Sequence, residues 1–332
     1  MLRHPEADTV PDAVLDWLLC DDEPSVRYGV LVGVLDEPAD SPRARRARAR
    51  IARSPRAEAL LAGQEKNGGF GCHPYTKWAG SHWRLLRLAD LNYPPGKPAV
   101  KRAADHALAW AMSNEPRTTA GRVRRCASQE GAALFYCVRL MSGDDPRAAE
   151  LAKRLARWQW PDGGWNCDRR PEADHSSFHE SLLPLWGLAE YWRVTNDPEA
   201  RLAMDGAAEL LLCHHLFRRD HDPERSVIHP DFVRLHYPCY WHYDLLEGCR
   251  ALALAGKLND PRAAEALDLI ESKRRADGTW APDRVYWRPP HVKSRSAREV
   301  VEWARRGQPD RFLTLNALRV LKTAGRLGRP DD

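Results

Sequence analysis

No apolar run in this 332-residue sequence reaches the roughly 18 to 20 residues that a membrane-spanning helix needs. The opening stretch MLRHPEADTVPDAVLDW also lacks the charged-then-apolar order of a signal peptide. These two absences predict a soluble, cytoplasmic protein. An excess of one charge is missing too: 51 Lys and Arg stand against 46 Asp and Glu, a net charge of +5. That is small for the length and argues against nucleic acid as a partner. The one dense basic run, SPRARRARARIARSPR (41–56), has Ala and Ile interspersed and neither aromatic interleaving nor a Gly-rich RNA motif, so it reads as a solvated helix face. No CxxC pair occurs, and the eight Cys (20, 72, 126, 137, 167, 213, 239 and 249) are scattered, which reads as reduced thiols rather than a disulfide framework. P-loop, Rossmann glycine, G-x-S-x-G and HExxH strings are all absent, leaving nucleotide hydrolysis, NAD chemistry, serine hydrolysis and zincin chemistry without support.

What the sequence does contain is a repeat. DDPRAAELAKRLARWQWPDGGW (144–165) matches NDPRAAEALDLIESKRRADGTW (259–280) in order, and SPRAEALLAGQEKNGGFG (54–71) is a looser copy. Asp-Pro supplies a capping oxygen and a preset first-turn φ, while Asp-Gly or Asn-Gly-Gly supplies the positive-φ turn that stops the helix. More apolar helices follow near 24–35, 80–91, 128–141, 177–192, 240–256 and 311–325. Polar-faced ones precede them near 11–20, 43–64, 98–113, 146–159, 198–215 and 261–274, which makes six pairs. Helices apolar nearly all round want burial, and amphipathic ones cover them. The pattern predicts an all-α, single-domain (α/α)6 toroid over 1–332, a double-layered barrel of six helical hairpins, with an open superhelix as the alternative.

At this point the sequence resembles known families. KRLARWQWPDGGW, with Gln159 and Trp165, resembles the QW-type repeat of squalene/hopene cyclases and the related repeat of protein prenyltransferase β subunits. The likeness extends to bacterial prenyltransferase/squalene oxidase repeat proteins, a label that describes fold more than activity. It implies a toroid of the terpenoid cyclase and prenyltransferase superfamily. Gln159 and Trp165 themselves read as structural, the amide bonding to a neighbouring helix and the indole lying across helix ends. The resemblance does not carry a reaction with it, because the cyclase Asp-x-Asp-Asp string and the DDxxD motif are both missing.

Candidate chemistry falls at the starts of the inner helices. Cys126, Cys167 and His175 precede two consecutive inner helices, and a Cys2His set with an open position suits catalytic zinc. The family's Asp-x-Cys string is absent, however, and reduced Cys is a common buried small hydrophobe. In HSSFHE (175–180), His179 or Glu180 is a candidate general acid or base, against a capping box from Ser176 or Ser177 to Glu180. His82, Glu130, His242 and Asp244 occupy comparable positions, where a lone His is more often a core residue. Trp78, Trp83, Phe178, Trp186, Tyr240, Trp241 and Tyr243 could line a cavity for an apolar substrate or simply fill the core. The segment 281–310, with Arg284, Arg288, Lys293, Arg295 and Arg298, reads as a lid with anion contacts or as a solvated insertion. The leading expectation is a small-molecule enzyme binding an apolar, isoprenoid-like substrate in a central cavity, with acid/base or zinc-assisted chemistry. The alternative is a non-catalytic lipid carrier or interaction scaffold. The oligomeric state is not readable.

Overall fold

The computed structural model describes residues 9–113, 116–141, 145–293 and 297–328. Among them the chain forms six hairpins in sequence. α1 (Asp12–Leu18) precedes α2 (Pro24–Gly33), and α3 (Pro42–Ile51) with α4 (Pro55–Leu61) precedes α5 (Ser81–Asp90). α6 (Pro98–Met112) leads through the two-residue strands β1 (Thr118–Thr119) and β2 (Arg122–Val123), paired antiparallel, to α7 (Ala127–Leu140). α8 (Pro146–Trp158) precedes α9 (Phe178–Thr195), and α10 (Pro198–Cys213) precedes α11 (Leu245–Leu254). α12 (Ala264–Ser272), entered through a 3-10 turn at Pro261–Ala263, precedes α13 (Arg311–Thr323).

The caps are those the Ser-Pro and Asp-Pro dipeptides dictate. Ser41, Ser54, Asp145, Asp197 and Asp260 each accept a backbone N–H two or three residues on, and each is followed by a proline inside the first turn. Ser54-Pro55 splits the predicted 43–64 helix in two, because a new cap and a missing proline N–H end one helix and start the next. The last inner helix but one begins at Leu245 and not near 240, because Asp244 is its cap.

The sequence's two kinds of helix occupy two layers. α8 buries only Ala148, Leu151, Ala152, Leu155 and Trp158, a stripe at helical spacing, whereas α5 buries every residue from Ser81 to Ala89. The inner layer, α2, α5, α7, α9, α11 and α13, closes into a ring, as the toroid reading expects and the open superhelix does not. α13 returns to α2, where a Cβ on Gly29 would lie 2.5 Å from Leu315 Cδ2 and Arg311 pairs with Asp22 at 2.6 Å. Ser25 in α2 then bonds to the carbonyl of Leu91 at the end of α5, 2.8 Å away. α7 and α9 cross so closely that a Cβ on Gly131 would sit 2.2 Å from the Pro184 nitrogen.

Connections at the two faces of the ring differ. Past the first hairpin, those entering inner helices are long (62–80, 113–126, 159–177, 214–244 and 273–310), and those leaving are short. The long ones build a mouth at the inner-helix N-termini. The 281–310 segment packs across that mouth: the Trp78 amide donates to the carbonyl of Arg298 at 3.1 Å and its indole to that of Tyr286 at 2.8 Å. Glu299, 1% exposed, takes the Tyr240 hydroxyl, so this part of the segment is packed, while Arg284, Arg288, Lys293 and Arg298 are exposed; Arg295 lies outside the described residues. No helix among the described residues is long and apolar enough to cross a membrane.

Candidate active site at the ring mouth

Three segments bring Cys126, Cys167 and Glu180 together, with one thiol sulfur or carboxylate oxygen from each lying within 4.8 Å of the others. Cys126 immediately precedes α7, Cys167 follows the Asp-Gly-Gly-Trp turn, and Glu180 is in the first turn of α9. That turn is rigid. Gly163, at φ 92°, approaches α10 so closely that a Cβ would meet the Gly206 carbonyl at 2.2 Å, and the Trp165 indole bonds to Leu155 at 3.0 Å. The capping box does not form. Ser177 caps α9 without a side-chain bond, and Ser176 Oγ donates instead to Asp162 at 2.6 Å. Glu180 is thereby released: its Oε2 accepts the Ser128 N–H at 3.0 Å and its Oε1 the Cys167 thiol at 3.3 Å. Hydrogen bonding to Cys126, burial and the Glu180 charge hold the Cys167 thiol well above its ordinary range. Burial raises Glu180 as well. Arg125 is the nearby cation, and it is already paired with Glu130 at 2.6 Å. Burial still pushes Glu130 up to about 7. Two thiols and a carboxylate pressed together are a donor set whose protons a divalent cation would displace. His175 does not join them. Its side chain is 83% exposed and pairs with Asp174 at 3.0 Å.

His179, the residue before Glu180, faces the other way. Its Nδ1 accepts the Tyr243 N–H at 2.9 Å, and burial, with His236 nearby, lowers it to about 4. A neutral ring with Nδ1 occupied carries its proton on Nε2, so His179 presents a donor rather than a base. The ring lines an open groove of about 1470 Å³ between the 160–178 and 214–232 loops. Phe178, Leu210, Ile228 and Phe232 supply its apolar lining, and His175, His214 and Asp220 contribute polar edges. Groove and thiol cluster share supporting segments: Asn166 and His179 line the groove, and Cys167 and Glu180, each the next residue in sequence, belong to the cluster. Sequence reasoning missed the groove. Its histidine-rich loop, HHLFRRDHDPERSVIHPDF (214–232), was the available signal.

The remaining candidates are packed. His82 is fully buried beside Tyr75, Trp83, Trp110 and Tyr136, with neither ring nitrogen hydrogen-bonded. His242 is stacked between Trp241 and Tyr286, at ring distances of 4.0 and 3.4 Å. Asp244 caps α11, accepting the N–H groups of Glu247 and His236, each at 2.9 Å. His236 Nδ1 also lies 2.6 Å from Asp244 Oδ2, an ion-pair contact out of hydrogen-bond alignment. Trp78 stacks on Tyr240 at 3.7 Å, Tyr243 donates to the Leu216 carbonyl at 2.7 Å, and Trp83 to that of Tyr75 at 3.2 Å. Trp78, Trp83, Tyr240 and Tyr243 thus pack in the core and do not line the groove, which takes Phe178; Trp241 alone of the seven stays half-buried. Trp186 lies apart, facing a small pocket toward the opposite face.

No protein-family model matches the sequence, and no curated protein matches it. Among solved structures the chain is similar to a protein from Actinoplanes, at 18% identity and a TM-score of 0.43 over 92% of this chain and 90% of that one. A GH76 α-mannanase from Bacteroides thetaiotaomicron is similar at 11% identity and a TM-score of 0.36, over 74% and 68%. The type II terpene cyclase MstE from Scytonema, in a variant bound to its product merosterolic acid A, is similar at 14% identity and a TM-score of 0.27, over 82% and 96%.

Proposed function

We infer that this chain is a metal-assisted small-molecule enzyme with its chemistry at the ring mouth. One observation carries this: Cys126, Cys167 and Glu180 converge from three segments, and Glu180 forgoes its own helix cap to do so. Three protein ligands of this kind suit zinc and leave a fourth position open. When bound, zinc would supply a Lewis acid held by the loop and helix start that also contribute Asn166 and His179 to the groove. The chain's own residues do the rest. The groove takes the apolar part of the substrate against Phe178, Leu210, Ile228 and Phe232, a lining that fits an isoprenoid-like chain. His179 offers a neutral N–H donor to a polar group there. Glu130, fully buried and pushed up by that burial, holds Arg125 in place on the cluster side.

Elemental analysis of protein purified without chelator tests the reading, together with cobalt substitution. About one zinc per chain, and a thiolate-to-cobalt charge-transfer band lost in Cys167→Ser, support it. Zinc below about 0.2 equivalents per chain, with no such band on adding cobalt, overturns it and leaves the groove as that of a carrier or scaffold.

A further inference from the structure

The opposite face of the ring, where inner helices end at short connections, holds a second pocket of about 170 Å³. Arg139 of α7, Arg250 of α11 and Arg319 of α13 all line it, together with Trp186 of α9. Two of these arginines are engaged. Arg139 pairs with Glu190 at 2.7 Å and with Asn92, and Arg250 reaches Asp90 and Glu247, each at 2.7 Å. Arg319 makes no hydrogen bond or ion pair through its guanidinium among the described residues. Its stem lies against α2, where a Cβ on Gly33 would come within 2.6 Å of its Nε. The Trp186 indole is 1% exposed, and its N–H has no acceptor.

Arginines near helix C-termini favour the dipole ends, and that alone would account for their presence. It does not account for the Trp186 N–H, a buried donor without an acceptor beside a partly exposed, unpaired guanidinium in the same small pocket, since a buried unmade hydrogen bond costs about 1 to 3 kcal/mol. The local charge is also uneven: Arg87, Arg139, Arg193, Arg250 and Arg319 face three carboxylates, Asp90, Glu190 and Glu247. Burial and the two neighbouring guanidinium groups lower Arg319 to about 10, so it stays charged at neutral pH. Asp90 also lines the pocket, yet both its oxygens are occupied, Oδ1 by Arg250 at 2.7 Å and Oδ2 by the Tyr237 hydroxyl at 3.0 Å and Arg87 at 3.7 Å.

We propose that this pocket binds one small oxyanion, a phosphate or a compact carboxylate, between the Arg319 guanidinium and the Trp186 indole N–H. Both groups are pure donors, and a guanidinium fork matches either anion in two-point fashion. The volume admits an inorganic anion or a few waters and no nucleotide.

Indole N–H resonances of nitrogen-labelled protein, with the Trp186 signal identified by Trp186→Phe, report directly on the pocket. Inorganic phosphate, sulfate and acetate are titrated separately at ionic strength held constant with chloride. The Trp186 signal is expected to shift saturably with at least one of them, phosphate response assigning an inorganic anion and acetate response a carboxylate. Arg319→Gln is expected to weaken that binding at least about tenfold, the loss of one charged hydrogen bond. The same anion is expected to raise the melting temperature of the parent protein and not that of Arg319→Gln. Should Arg319→Gln fail to fold, Trp186→Phe, which removes one donor and keeps the ring, must itself weaken the anion's thermal stabilisation. A Trp186 signal that follows none of the three beyond chloride, or an Arg319→Gln protein that binds as tightly as the parent, overturns the proposal.

Discussion

Gln159 ties two outer helices together: its Nε2 donates to the Ala203 carbonyl of α10 at 2.7 Å while also closing its own turn on the Gly163 carbonyl at 2.6 Å. Gln64 does the same one repeat earlier, to Ala99 of α6 at 2.8 Å. The repeated Trp is equally regular, since the Trp165 and Trp280 indoles each bond to a carbonyl ten residues back, at 3.0 and 2.8 Å. Gln159→Met keeps the length and removes both bonds, so it is expected to cost about 1 to 2 kcal/mol in chemical denaturation. A change within about 0.5 kcal/mol, the range of an ordinary surface substitution, would make the amide a bystander.

Gly131 sets how closely α7 and α9 approach. A methyl there meets backbone, the Pro184 nitrogen at 2.2 Å and the Leu183 carbonyl carbon at 2.4 Å, and backbone cannot swing aside as a flexible side chain does. Gly131→Ala is expected to destabilise by about 3 kcal/mol, the upper end of overpacking. Because Cys126 and Glu180 stand at the N-terminal ends of these two helices, the same substitution should also weaken zinc binding. Unchanged metal affinity in a destabilised variant would uncouple the helix crossing from the cluster.

The layers were legible because α9 is apolar nearly all round, α8 is amphipathic, and Ser-Pro or Asp-Pro marks where outer helices begin. The site was legible only in part. Spacing put Cys126 and Cys167 ahead of two consecutive inner helices, and the structure brings them together from the α7 start and the loop before α9, but spacing could not say whether His175 or Glu180 turned inward, since that depends on Ser176 bonding to Asp162. The aromatics of HYPCYWHY (236–243) gave no sign that Tyr240 would stack on Trp78, more than 150 positions away. Nothing in the sequence marks Arg139, Arg250 and Arg319 as a set, because only ring closure makes them neighbours.

His82 makes stability depend on acidity. Burial first, and Arg87 second, lower it from 6.5 in the unfolded chain to about 3. Below pH 6.5 the unfolded chain binds a proton that the folded one refuses, so stability falls as pH falls, by up to about 1.4 kcal/mol per unit. Between pH 6.5 and 4.5 this one group contributes a loss of about 2 to 3 kcal/mol. His82→Phe keeps an aromatic ring among Tyr75, Trp83 and Tyr136 and removes two unpartnered nitrogens. It is expected to flatten the pH dependence by that amount without lowering stability at pH 7. Denaturation midpoints at both pH values check this, and an unchanged slope would show that His82 does not set it.

The identity of the third ligand is the sharpest point on which the chain can be tested. His175 and Glu180 are five residues apart in sequence, and sequence chemistry alone favours the histidine. The structure separates them: the imidazole is 83% exposed on Asp174, and the carboxylate is 3.3 Å from the Cys167 sulfur. His175→Ala should therefore retain the full zinc content and cobalt spectrum of the parent. Cys126→Ser and Cys167→Ser should each lose the metal under dialysis, because a hydroxyl is not a thiolate at neutral pH. Glu180→Gln is the discriminating variant. It keeps the shape and an acceptor for the Ser128 N–H but removes the negative charge, so zinc affinity should fall by about 10- to 100-fold while the thiolate-to-cobalt band survives at saturating cobalt. If His175→Ala loses zinc and Glu180→Gln does not, the 170–177 loop must fold inward when metal binds, and the carboxylate has only a capping role.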